Sequence, residues 1–184
     1  MRVISGSARG LKLKAPKGLN TRPTTDRIKE SFFNIISPYV YGCRFLDLFS
    51  GSGSIGVEAL SRGSEAVFFV DSDKHSIEVI NSNILSSKLS HKATVLKGDA
   101  LSVLESLGKK GEKFDIIFMD PPYNKGFIQP CLNIIQSYKL LSEDGFIVAE
   151  QAAEEEELKT EGLEVYRIKD YKTTKMTFLK YKDN

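Results

Sequence analysis

Apolar residues along this chain fall into short runs, and between the runs they recur at helical spacing. The runs at Arg44–Phe49, Ala66–Asp71, Ala93–Lys97, Phe114–Met119 and Phe146–Glu150 read as buried strands. Segments 54–62, 74–87, 100–107 and 127–138 read as the helices between them. That alternation predicts an α/β fold, an open and mostly parallel doubly wound sheet with helices on both faces. The tail breaks the rhythm: Leu163–Lys169 and Thr174–Lys182 read as two strands joined by a short turn, an antiparallel C-terminal element.

The first forty residues follow a different pattern. Val3-Ile4-Ser5 and Leu11-Lys12-Leu13 suggest a small hairpin around Gly6–Gly10. Arg22-Pro23-Thr24-Thr25 then suggests a turn into a helix capped by Thr25 or Asp26. Ile28, Phe32, Ile35 and Ile36 would form its inward face, with Pro38 closing it. Residues 1–40 are therefore expected to be a basic hairpin-and-helix appendage docked on a main domain, residues 41–184. The acidic run Glu154–Glu157 reads as a solvated helix surface.

Composition adds little until it is read by position. The 184 residues are 41% hydrophobic and 27% charged, ordinary for one globular domain. No apolar stretch reaches the roughly 20 residues that span a bilayer. The start, MRVISGSARGLKLK, lacks the apolar core of a signal peptide, so a cytoplasmic protein is expected. Cys43 and Cys131 stand far apart and read as buried free thiols, and His75 and His91 as surface residues; no metal site is expected. Net charge is only +2, but residues 1–30 hold eight basic and two acidic residues, which leaves the remainder net negative. That asymmetry points to an end that faces a polyanion.

Candidate chemistry lies where the predicted strands end. Gly51, Gly53 and Gly56 fit G-x-G-x-x-G between a strand and a helix, with Asp71 twenty residues after Gly51. The triplet alone is weak, since roughly 8% of shuffled chains of this composition would contain it. Its placement after the first strand strengthens it. Asp47, four residues before Gly51, argues against a bound pyrophosphate and for a ligand carrying positive charge, such as S-adenosylmethionine. Asp71 could accept from ribose hydroxyls, with Asp73 as a competitor, and Asp99, followed by Ala100, from an adenine amino group. Asp47, Asp71, Asp99 and Asp120 all end predicted strands. Each could simply cap a helix or end a turn, but four on one sheet edge point to a ligand crevice.

Asp120-Pro121-Pro122-Tyr123 is the more specific signal, arising in roughly 4 of 10,000 shuffled chains. The exocyclic amine of a nucleobase is a poor nucleophile because its lone pair is delocalised into the ring. The Asp120 carboxylate and the Pro121 carbonyl could hold its two hydrogens and direct that lone pair at an electrophilic methyl group. Tyr123 could stack on the base, worth on the order of 1–3 kcal/mol.

DLFSGSGSIGVEALSRG with FMDPPY resembles the amino-directed class of S-adenosylmethionine-dependent methyltransferases. With ISGSARGLKLKAPKG and TRPTTDRIKESFFNII ahead of the loop, the whole chain is similar to the RsmD family, which methylates N2 of a guanine in bacterial 16S ribosomal RNA. RPTTDR and EALSRG carry more of that similarity than DPPY. The resemblance implies a Rossmann-like class I methyltransferase fold. Asp47, Gly51, Gly53, Asp71, Asp99 and Ala100 would surround S-adenosylmethionine, whose product is S-adenosylhomocysteine. Asp120, Pro121 and Tyr123 would form the amine site. The family often has Glu where this chain has Asp71, a shorter acid that still suits a ribose diol.

The basic appendage would then face RNA through Arg9, Lys12, Lys14, Arg22 and Arg27, contacts that position without reading sequence. The expected partner is 16S rRNA in a small subunit or its assembly intermediate, met by a monomer, with the target base unpaired or flipped out. Adenine-N6 methylation of DNA or RNA is the nearest alternative, because DPPY serves that amine equally well. An NAD-dependent oxidoreductase, which Asp47 and DPPY oppose, and an RNA-binding protein without turnover complete the set.

Overall fold

The computed structural model describes residues 1–16 and 26–182. They form two compact units, Met1–Asp99 and Ala100–Asn184. The predicted turn at Arg22–Thr25, with its capping Thr25, lies outside the described residues.

The first unit opens with the expected hairpin, a tight one. Val3 donates to the Leu11 carbonyl and Gly10 to that of Val3, both at 2.9 Å, and Arg2 and Lys12 form a single antiparallel bridge. After it come α1 (Asp26–Val40), β1 (Arg44–Leu48), α2 (Ser54–Ser61), β2 (Ala66–Asp71), α3 (Lys74–Ser87) and β3 (Ala93–Lys97), with a 3-10 turn at Ser90–Lys92 before β3. β2 pairs in parallel with both β1 and β3, so Asp47 lies beside Phe69, and Asp71 beside Lys97.

Two expectations for α1 need correction. Pro38 does not close the helix but lies inside it. In the last turn a proline removes only one ladder bond, and burial of Val40, which is 1% exposed, holds the final residues in place. The inward face is also displaced: it consists of Lys29, Phe32, Phe33, Ile36 and Val40, while Ile28 and Ile35 are half-buried. A lysine occupies the centre of an otherwise apolar face because a carboxylate waits for it on α2.

Every residue of α2 is buried, Glu58 among them. Glu58 Oε2 lies 3.4 Å from Lys29 Nζ and accepts from the Ile4 amide at 2.7 Å. Its Oε1 accepts from the Ser5 amide at 3.0 Å and from Arg62 Nε at 2.8 Å. Lys29 also donates to the Arg2 carbonyl at 2.6 Å, and the Arg62 guanidinium lies over the Phe33 ring. Burial pulls the Lys29 pKa below its ordinary value, opposed by the neighbouring Glu58 charge.

Ser61 extends this socket. Its hydroxyl donates to the Ser5 carbonyl at 2.6 Å and accepts from the Ala8 amide at 2.9 Å, and its carbonyl accepts from the Ser7 amide at 2.8 Å. Gly6 has φ +85°, and a Cβ there would sit 1.8 Å from the Ser61 carbonyl oxygen, so no side chain fits. ISGSARG and EALSRG are thus two halves of one joint.

The second unit contains α4 (Ala100–Lys109), β4 (Phe114–Met119), α5 (Ile128–Ser137), β5 (Leu141–Ala152), β6 (Leu163–Asp170) and β7 (Thr174–Tyr181). β5 pairs in parallel with β4 and antiparallel with β7, which pairs antiparallel with β6. The parallel strands and antiparallel tail are those of the predicted α/β fold. β5 begins five residues earlier than expected, because Ser142-Glu143-Asp144 stays extended through a register shift against β4. Glu154–Glu157 is not helical; the segment turns directly off the end of β5. Cys43 and Cys131 are buried free thiols.

Candidate active site

The glycine loop leaves β1 under tight control. The Ser50 hydroxyl donates to the Asp47 carbonyl at 2.6 Å and accepts from the Val70 amide at 3.0 Å, which ties the loop to β2. Gly51 and Gly53 both take left-handed backbone, φ +56° and +73°, and α2 starts from Gly53. Such a loop brings backbone amides close to a ligand without side chains in between.

Asp47 is 2% exposed, and its Oδ2 accepts from the Gly56 amide at 3.0 Å. Burial raises its pKa to about 7, against the Gly56 hydrogen bond and helped by the nearby Asp71 charge. Asp71, at the end of β2, accepts from the Gly51 amide at 2.8 Å and the Asp73 amide at 2.9 Å. Its pKa is also raised, chiefly by burial. A buried acid that feels the charge of a half-buried one suits a cationic ligand with hydroxyl donors. Asp73 instead caps α3, accepting from the Ser76 amide at 2.8 Å, and that bond lowers its pKa. Asp99 is exposed at the end of this unit, just beyond β3.

In the second unit, Ala100 is buried at the start of α4. Asp120 and Tyr123 are half-buried beyond the end of β4, with Pro121 buried and Pro122 exposed between them. The Tyr123 hydroxyl is 3.3 Å from Oε1 of Glu150, a β5 residue that is 2% exposed. Asn124, at φ +58°, donates its amide to Glu155 Oε1 at 2.9 Å. Glu150 and Glu155 escaped sequence reasoning. In sequence Glu150 reads as one more strand residue and Glu155 as part of a solvated run, and only the parallel pairing of β4 with β5 brings either one to the DPPY loop.

Of the basic residues expected to face RNA, Arg9, Lys12, Lys14 and Arg27 are all exposed. Arg22 lies outside the described residues. No helix among the described residues is long and apolar enough to cross a membrane.

Residues 1–180 match a protein family described as Conserved hypothetical protein 95. A Bacillus subtilis protein, YlbH, whose name provisionally calls it an rRNA methyltransferase, is 49% identical over 162 residues, covering 88% of each chain. Ribosomal RNA small subunit methyltransferase D of Escherichia coli is 33% identical over 154 residues, 84% of this chain and 76% of that one. The solved structure of Escherichia coli yhhF, provisionally called a methyltransferase, superposes with a TM-score of 0.86 at 29% identity, covering 100% of this chain and 99% of the other.

Proposed function

This chain belongs to the RsmD family of rRNA methyltransferases, and we propose that it methylates the exocyclic N2 amine of a guanine in 16S rRNA. The observation that carries this reading is the pair of acids beside the glycine loop, buried Asp47 and half-buried Asp71. Their charge suits S-adenosylmethionine, which supplies an electrophilic methyl on a sulfonium centre. Asp47 favours the ligand's positive charge, and Asp71 takes its ribose hydroxyls by releasing bonds now made to Gly51 and Asp73. The glycine-loop amides and Asp99, with Ala100 beside it, complete the cofactor group.

Asp120 and the Pro121 carbonyl accept the two N2 hydrogens, so that the amine lone pair is free to attack. The positive charge that develops on nitrogen is stabilised by Asp120, and the proton leaves to solvent or through that carboxylate. Tyr123 stacks on the base while Glu150 holds its hydroxyl, and Glu155 steadies the loop through Asn124. Residues 1–40 serve as the RNA platform of a transferase domain spanning 41–184. Arg9, Lys12, Lys14, Arg22 and Arg27 meet phosphates there. The protein works as a cytoplasmic monomer on the small subunit or a precursor of it.

The test separates holding the amine from holding the cofactor. Asp120→Ala is expected to abolish labelling of 16S rRNA from methyl-labelled S-adenosylmethionine while S-adenosylhomocysteine still binds within a few-fold of wild type. Retained turnover, or loss of cofactor binding, would remove Asp120 from the amine site.

A further inference from the structure

Asn83 lies near the C-terminal end of α3, 1% exposed, and belongs to neither proposed binding group. Its side chain makes three hydrogen bonds to two distant segments. Oδ1 accepts from the Lys14 amide at 2.9 Å. Nδ2 donates to the Lys14 carbonyl at 3.0 Å and to the Ser52 carbonyl at 2.9 Å. The three partners fix the amide's orientation, since the flipped form would set its oxygen against two carbonyls.

Both ends of this bridge matter. Ser52 sits between Gly51 and Gly53, both of which take left-handed backbone. With so little steric restraint on either side, the Asn83 bond to its carbonyl is a principal anchor of that peptide. Lys14 is part of the basic N-terminal segment, and its own ammonium donates to the hydroxyl of half-buried Ser82 at 2.9 Å. Asn83 holds Lys14 through both backbone groups, much as a neighbouring strand would.

We propose that Asn83 is a positioning residue that couples the RNA-facing segment to the cofactor loop. The inference rests on the functional reading above. When rRNA orders the segment around Lys14, it also orders the amide that anchors Ser52, so the loop meets the cofactor with less left to immobilise. Coupling of this kind is reciprocal: the cofactor tightens rRNA binding by the same factor.

The experiment measures S-adenosylhomocysteine affinity with and without saturating unmodified 16S rRNA, so no turnover intervenes. The wild type is expected to bind it about fivefold tighter or more in the presence of RNA. Asn83→Leu keeps the branched outline of the side chain and deletes the three bonds, and should bring that ratio close to one. An unchanged ratio in Asn83→Leu, or a ratio of one in the wild type, overturns the proposal. A measurement on the wild type alone guards against a misfolded variant. Without cofactor, rRNA should slow hydrogen exchange of amides across residues 50–54, and unaltered exchange there contradicts the coupling. A wild type that binds S-adenosylhomocysteine but no rRNA would instead overturn the functional reading beneath it.

Discussion

Glu58 and Asp47 are both buried carboxylates of the first unit, eleven positions apart, and their surroundings could hardly differ more. Glu58 is met by Lys29, by Arg62 and by the amides of Ile4 and Ser5. Asp47 accepts from the Gly56 amide and has a second acid, Asp71, for a neighbour. A buried charge surrounded by cations is a joint, whose energy is spent on holding elements together. A buried acid beside another acid costs stability and persists only where something else favours it, and a cationic ligand does so. The comparison separates architecture from chemistry among residues of the same type.

The largest effect should come from breaking the joint. Glu58→Ala strands the fully buried Lys29 and removes the acceptor for two hairpin amides. It is expected to lower unfolding free energy by about 3–5 kcal/mol in urea titrations. Lys29→Met should cost less, because Arg62 and the two amides still serve Glu58. Equal losses from the two variants would mean that the pair, and not the carboxylate, is the organising element.

The acids proposed to face the cofactor should behave in the opposite way. Asp47→Asn should weaken S-adenosylmethionine binding by about tenfold or more, corresponding to about 1.4 kcal/mol per tenfold, with no loss of stability at pH 8. Asp71→Ala should likewise raise the Kd. If Asp47→Asn destabilises the protein as Glu58→Ala does, the contrast between the two acids fails.

The same carboxylate predicts a pH dependence with a definite sign. Its pKa is raised in the fold to about 7, so its contribution to stability is full at low pH and is lost as pH rises from about 4 to about 7. Asp71 shifts in the same direction. A cationic ligand needs Asp47 ionised, so cofactor affinity should rise up to about tenfold per unit as pH climbs toward 7, then level off. Calorimetric titrations between pH 5.5 and 8.5 would show this, and a flat profile in Asp47→Asn would assign it. The smallest effect is expected at Asp73, a helix cap. Asp73→Ala should lower Tm slightly and leave S-adenosylhomocysteine affinity unchanged; a weakened affinity would shift the ribose role to Asp73.

Most of the strands and helices were legible because their signals are local. Lys74–Ser87 carries its own cap in Asp73, and the strands ending at Asp71 and Met119 carry their apolar runs. Pairings distant in sequence were not legible. Lys29 looks like one more surface cation until Glu58 stands opposite it, and ISGSARG and EALSRG carried the family resemblance without revealing that they meet. Glu155 read as solvated because nothing near it in sequence shows that the Asn124 amide will reach it. Pro38 misled for the reverse reason: a strong local signal yielded to packing around Val40. Asp47 and Asp71 were legible as neighbours because the parallel pairing of β1 with β2 brings the carboxyl ends of those two strands to the same edge.

The most direct test of the account is to incubate the protein with methyl-labelled S-adenosylmethionine and identify the labelled nucleoside by mass spectrometry. Unmodified small subunits, protein-free 16S rRNA and duplex DNA would be compared in parallel. The account predicts label in N2-methylguanosine from 16S rRNA, absent with Asp120→Ala. Label in N6-methyladenine, or no label from any substrate while S-adenosylhomocysteine binds, would contradict it.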